Sequence, residues 1–258
     1  MRRGYIFDLD GTIYLDDDFI PGVPEAIQSL KTRGDKVVFL TNKSIARRKD
    51  YVTKLNGMGI EVELNEVINS NYITALYLKN DMVPGDAAYV IGEEPLVDEL
   101  LEAGIELVED ATGATHVVVG WDRQFTYEKL NHAFQAWRNG AEIIATNPDR
   151  TCPIQGGEIP DCGAMIGALE GATGEPVKQI TGKPSSLMSE YVLSNVLKME
   201  ADQCYMVGDR LETDIRMANE AGIHSVLVMT GITTDAMLET ATDRPSFVLE
   251  SVRDIASL

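Results

Sequence analysis

Basic residues are scarce. The 258-residue chain carries 22 Lys and Arg against 41 Asp and Glu, a formal net charge of −19 at pH 7. So acidic a surface repels phosphate backbones and anionic lipid, which argues against nucleic-acid and membrane-surface roles. It serves solubility and also fits a high-salt host. Cysteine is nearly absent. Cys152, Cys162 and Cys204 form no C-x-x-C pair and leave an odd count, which argues against a disulfide scaffold and fits a reducing compartment. The histidines His116, His132 and His224 lie far apart without metal-ligand spacing, so each reads as structural. No apolar run approaches the roughly 18 residues of a membrane-spanning helix. The N-terminal residues enter a strand pattern at once, without a basic stretch leading into an apolar signal. A cytoplasmic protein is therefore expected. There is no fixed-period repeat, low-complexity tract, P-loop, zinc motif or G-x-S-x-G elbow.

What is present is an apolar content of 44%, enough for a sizeable core. Short β-rich runs alternate with amphipathic stretches. Tyr5-Ile6-Phe7 predicts a buried strand, Val23 to Arg33 a helix, Lys36 to Leu40 a strand and Ile45 to Met58 a helix closed by Gly59. The middle repeats the pattern, with strands at Ala88–Ile91, Thr115–Gly120 and Glu142–Ala145 and helices at Leu96–Ala103 and Tyr127–Arg138. Glycines from Gly156 to Gly174 predict loops around one helix, Cys162 to Glu170. Strands at Lys178–Thr181, Cys204–Val207, His224–Met229 and Phe247–Leu249 then alternate with helices at Ser186–Leu197 and Leu211–Ala221, before a terminal helix. Such alternation predicts an α/β fold with a parallel sheet.

Residues able to do chemistry follow these strands. Asp8 and Asp10 come directly after an apolar strand and before Gly11-Thr12. Residues two apart on a strand point the same way, so both carboxylates can leave the sheet on one side, where ligand crevices form in open α/β sheets. One carboxylate of such a pair can attack phosphorus, and the other can pass a proton to the leaving oxygen and then take one from water. Their mutual repulsion calls for a hard cation such as Mg²⁺. Asp209 follows the strand Tyr205-Met206-Val207 and would complete that metal site, braced by Asp214; alternatively Asp209 caps the next helix and Asp214 favours its dipole. Thr41-Asn42 at another strand end either binds phosphate oxygens or caps a helix, and the two roles are compatible. Lys183, in Gly182-Lys183-Pro184, follows a fourth strand and is either a solvated charge or the cation that neutralises a phosphate. The acidic runs Asp16-Asp17-Asp18 and Glu93-Glu94 read as solvated loops.

Together these segments resemble the haloacid dehalogenase-like (HAD) hydrolase superfamily. Phe7 to Thr12 is similar to its first motif, Leu40-Thr41-Asn42 to its second, Gly182-Lys183-Pro184 to its third and Gly208 to Asp214 to its fourth, in order across nearly the whole chain. Ala145 to Asp149 and Asp161 to Met165 further resemble its NagD-type subfamily, including AraL-like sugar phosphatases. The resemblance implies a Rossmann-like core with an inserted smaller α/β cap of the C2 type. On that basis the core is expected at 1–79 and 179–258 and the cap at 80–178, because the short spacing from Asp10 to Thr41 leaves no room for a cap there.

The resemblance also implies Asp8 as nucleophile and Asp10 as general acid and base. Mg²⁺ would be held by the Asp8 carboxylate, the Asp10 carbonyl and Asp209. Thr41, Asn42 and Lys183 would hold phosphate, with Asn147 and Asp149 near the cap entrance. The implied substrates are small phosphate esters: sugar phosphates, nucleoside monophosphates, pyridoxal phosphate or p-nitrophenyl phosphate. Many relatives carry a second asparagine where this chain has Lys43. Phosphoryl transfer on the same site, or phosphometabolite binding without catalysis, are the competing functions. No nucleic-acid or membrane partner is expected, and a homodimer is admitted.

Overall fold

Tyr5-Ile6-Phe7 lies within the strand Gly4–Asp8, buried on both faces, as a strand in the middle of a parallel sheet must be. The computed structural model describes residues 2–15, 18–154 and 156–258. They fall into two units. One comprises Met1–Thr41, Arg48–Ile68 and Lys183–Leu258, and the other Asn42–Arg47 and Asn69–Gly182.

In the first unit a six-stranded sheet runs Phe247–Leu249, His224–Val228, Cys204–Gly208, Gly4–Asp8, Lys36–Thr41, Val67–Asn69. Gly4–Asp8 pairs in parallel with Lys36–Thr41 on one side and Cys204–Gly208 on the other. The chain winds outward from it in both directions, which opens a crevice at its carboxyl end. The register sets Phe7 level with both Val207 and Phe39 and Asp8 level with Leu40, so three strand ends finish at one height. The helix Val23–Thr32 matches its expected start, with Pro24 in its first turn where a missing N–H costs nothing. The helix expected from Ile45 begins at Arg48. The segment expected to be one helix from Leu211 is helical throughout, as Leu211–Ile215 followed by Arg216–Ala221, and ends at left-handed Gly222.

The second unit has its own parallel sheet, ordered Gln179–Ile180, Glu142–Ala145, His116–Val119, Ala88–Ile91, Leu107–Val108. Helices cover both faces. Ala75 and Leu78 of Ser70–Asp81, with Leu96 and Leu100 of Glu94–Glu102, bury Ala88, Val118 and Ile144. Tyr127–Arg138 and Cys162–Thr173 cover the alternate residues Tyr89, Val117, Val119 and Ile143. The fold is thus α/β with parallel sheets, as expected from the alternation.

Several elements depart from expectation. Gln179–Ile180, placed by its position before Lys183 among the strands carrying the motifs, joins the second sheet through Glu142–Ala145. The antiparallel hairpin Thr151–Ile154 with Gly157–Pro160 occupies part of the region expected as loop. Of the acidic run Asp16-Asp17-Asp18, the first two lie outside the described residues, and Asp18 opens the exposed strand Asp18–Phe19. Glu93 is no solvated loop residue. Its carboxylate takes two 2.7 Å hydrogen bonds from the Arg123 guanidinium, which hold it below its usual pKa. Among the described residues no helix is long and apolar enough to cross a membrane.

Candidate active site

Asp8 closes the central strand of the first unit and is buried. Its Oδ1 accepts a 2.5 Å hydrogen bond from Lys183 Nζ, and the same ammonium donates to Asp214 Oδ1 at 2.7 Å. Lys183 is only 2% exposed, which rules out the solvated-charge alternative. It reaches Asp8 from a connecting segment and not from a strand end of this sheet.

After Asp8 the chain turns within a few residues. Leu9 O accepts from the N–H groups of Thr12, Ile13 and Tyr14, and Gly11 adopts φ +89°, a conformation that a side chain would strain. Asp10 lies in this turn, partly exposed, two residues past Asp8. Thr41 ends the neighbouring strand and is buried.

Asp209 follows Cys204–Gly208. Its Oδ2 accepts from Ile232 N–H at 2.7 Å, while its Oδ1 is buried with no hydrogen-bond partner. The carboxylate occupies space left by two glycines. A Cβ on Gly11 would come 2.6 Å from Asp209 Oδ2, and one on Gly231 would overlap the carboxylate. Asp214 is fully buried, its Oδ2 accepting from Arg210 N–H at 3.1 Å and its Oδ1 from Lys183. A Cβ on Gly208 would strike Asp214, so that glycine admits it.

Asp8, Asp209 and Asp214 thus converge, each with a carboxylate oxygen within 4.8 Å of the others. Fully ionised, these three carboxylates would exceed the one ammonium bonded to them by two negative charges in a buried place. The consequences appear in the pKa values. Burial pushes Asp8 well above the usual carboxylate range, Lys183 opposes, and Asp214 and Asp209 add to the rise. Burial and then Asp214 push Asp209 up to about 7. Burial alone would lower the Lys183 ammonium, but Asp214 and Asp8 outweigh it and hold it above its ordinary value. A buried, unsatisfied Asp209 oxygen beside this charge deficit suits a divalent cation with oxygen ligands. The donor set therefore fits the metal implied by the sequence.

Asn42 and Asn147 belong to the second unit. Asn147 Nδ2 donates to Asn42 O at 2.9 Å and to Thr146 Oγ1 at 3.1 Å, and its Oδ1 accepts from Asp149 N–H at 3.0 Å. Asn42 Nδ2 contacts Asp149 Oδ1 at 3.3 Å. Asn147 therefore spends its amide inside the protein, holding the segment that carries Asn42.

The sequence did not single out the loop after His224–Val228. Its Ile232 N–H anchors Asp209, and Thr233 Oγ1 donates to the Asp209 carbonyl at 2.5 Å. The signal was Thr230-Gly231-Ile232-Thr233, a glycine among hydroxyls at a further strand end. The hydroxyls of Thr12 and Thr213 were also passed over; both are buried without a hydrogen-bond partner.

Residues 5–106 match the family model described as haloacid dehalogenase-like hydrolase, and residues 180–255 a second described as HAD-hydrolase-like. The sugar-phosphatase AraL of Bacillus subtilis is 38% identical over 255 residues, 99% of this chain and 92% of that one. Among solved structures, p-nitrophenyl phosphatase from Archaeoglobus fulgidus superposes with a TM-score of 0.91 at 34% identity, covering 99% and 98% of the two chains. NagD from E. coli K-12 does so at 0.87 and 29%, covering 98% of each. A glycerol phosphate phosphatase from Mycobacterium tuberculosis, solved with calcium, gives 0.88 and 29%, covering 98% of this chain and 74% of that one.

Proposed function

The chain belongs to the haloacid dehalogenase-like hydrolase family, among its NagD-type phosphatases, and from that premise we propose a magnesium-dependent phosphomonoesterase working through an aspartyl-phosphate on Asp8. The observation that carries this reading is the buried Asp8–Lys183–Asp214 chain of ion pairs beside an Asp209 oxygen with no partner.

Lys183 occupies Asp8 Oδ1 and opposes the rise that burial imposes on this carboxyl, favouring its ionised, attacking form. We assign the attack to Oδ2. As the Asp8–phosphorus bond forms, the ester P–O bond breaks, and Asp10 gives its proton to the departing alkoxide. Asp10 then takes a proton from water, whose oxygen attacks phosphorus. The Asp8–phosphorus bond breaks, inorganic phosphate leaves and both aspartates return to their starting state. Asp214 acts through Lys183 by holding the ammonium in place. Thr41 and Asn42, at the end of their strand, are assigned to the phosphate oxygens, and Asn147 positions the Asn42 segment. Asp8, the Asp10 carbonyl and Asp209 would hold Mg²⁺, which when bound supplies Lewis-acid neutralisation of carboxylate and phosphate charge.

We assign the second unit the role of cap, setting specificity among small phosphate esters: sugar phosphates, nucleoside monophosphates, pyridoxal phosphate or p-nitrophenyl phosphate. A cytoplasmic metabolite phosphatase without nucleic-acid or membrane partners fits the net charge of −19. The test is phosphate release from this panel with Mg²⁺ and no added acceptor. Turnover that persists in Asp8→Asn, or that requires an acceptor alcohol, would sink the mechanism.

A further inference from the structure

The second unit contains a cluster that the phosphatase reading does not use. His116 opens the strand His116–Val119 and Glu142 opens Glu142–Ala145; the two are register partners on adjacent parallel strands, so their side chains share a face. Helix Ser70–Asp81 lies over that face, held by Ala75 and Leu78 against Val118 and Ile144, and its last residue is Asp81. Asp81 Oδ2 lies 3.2 Å from His116 Nε2, and one ligand atom from each of Asp81, His116 and Glu142 falls within 4.8 Å of the others.

The imidazole is oriented from behind. Its Nδ1 lies 2.9 Å from Thr115 Oγ1, and that hydroxyl also bonds the Ala87 carbonyl and amide. Nε2 is thereby turned to the carboxylates, in the way metal-binding histidines are held by a hydrogen bond to the second ring nitrogen. The buried ring sits beneath two carboxylates that reach solvent, which provides an inner ligand and an open approach. Lys178 Nζ pairs with Glu142 Oε2, and its half-exposed side chain can swing away when a cation arrives. One imidazole and two carboxylates make a mixed nitrogen and oxygen set suited to a divalent first-row ion such as zinc.

We propose that Asp81, His116 and Glu142 form a second metal site, for a divalent transition ion, that ties the end of helix Ser70–Asp81 to two strands of the second unit's sheet. His116 thereby gains a role that its isolation in the sequence did not suggest.

The test uses the full chain without a histidine tag, stripped by chelator and then held in excess Mg²⁺ to occupy the other carboxylates. Zinc is titrated calorimetrically into wild type, Asp81→Asn, His116→Gln, Glu142→Gln, Lys178→Gln and Asp209→Asn, and cobalt absorption reports the ligand field. One zinc equivalent should weaken about tenfold or more in each of the three ligand variants. It should tighten in Lys178→Gln and survive in Asp209→Asn. Asp81 lies at a helix end open to solvent, so Asp81→Asn keeps the test valid if His116→Gln fails to fold. Zinc affinity unchanged in Asp81→Asn and Glu142→Gln, or zinc binding lost only in Asp209→Asn, would overturn the proposal. Neither result depends on the phosphatase reading, because binding and not turnover is measured.

Discussion

Replacing Lys183 by Met keeps the length and apolar stem of the side chain but removes the ammonium bonded to both Asp8 and Asp214. Asp8, Asp209 and Asp214 would then share a buried site without that ammonium, unless protons or metal are taken up. Removing one partner of a buried ion pair costs about 3–5 kcal/mol, because the remaining charge is left unpaired. For a chain of this size about 1 kcal/mol lowers Tm by roughly 2–4 °C, which sets the expected drop at about 6–20 °C for metal-free protein at pH 8. The drop should shrink on acidification. Without the ammonium the already raised Asp8 and Asp209 carboxyls rise further, so the penalty is absent while these two groups are protonated and grows as pH rises through their folded values. Turnover with Mg²⁺ should fall by about 10²–10³-fold, the scale of losing one stabilising group at a developing charge. The assays are thermal melts in chelator from pH 5 to 8, alongside phosphate release at saturating substrate. A variant that melts with wild type at pH 8, or loses equal stability at both pH values, would refute the electrostatic account of the site.

Asp8→Asn should lose turnover on the order of 10⁴-fold or more while keeping its fold by circular dichroism, and Asp10→Asn should slow by about 10²–10⁴-fold; a normal rate in the second would reassign the acid and base role. Gly231→Ala puts a methyl group onto the Asp209 carboxylate, so the Mg²⁺ concentration for half-maximal activity should rise about tenfold or more. In chelator, the wild-type fold should lose stability relative to Asp209→Asn as pH climbs. A carboxyl raised from 3.8 to about 7 stabilises the fold below its unfolded value, and that contribution is gone above about 7. Parallel pH profiles for the two proteins would contradict it, and saturating Mg²⁺ should reverse the wild-type loss.

The buried carboxylates Asp8 and Asp209 were legible because each stands at the end of a short apolar strand, where strand geometry and the open end of a parallel sheet leave little choice of direction. Their surroundings were less so. The donor that anchors Asp209 is the Ile232 backbone N–H, which has no residue signature. The sequence reads Lys183 as following a strand of the motif-bearing sheet, whereas the strand before it belongs to the other sheet. Gln179–Ile180 is a two-residue edge strand, and nothing in so short a run says which sheet it extends. The helix Ser70–Asp81 escaped notice because buried Ser70, Asn71 and Thr74 interrupt its apolar stripe. Ser70 Oγ, Asn71 Nδ2 and Thr74 Oγ1 meet Asn42 O, Ser44 O and Thr181 Oγ1 only in the folded chain.

That helix also decides how the second unit could be transplanted. It supplies Ala75 and Leu78 to one face of the unit's sheet, and through Ser70 and Asn71 it grips the short segment Asn42–Arg47. Gly182 closes the far end so tightly that a methyl group there would come 2.6 Å from Asn42 Oδ1. The second unit, moved into a related phosphatase, therefore has to travel as two pieces, 42–47 and 69–182. A graft cut to the sheet and its later helices alone would arrive with one face bare and aggregate.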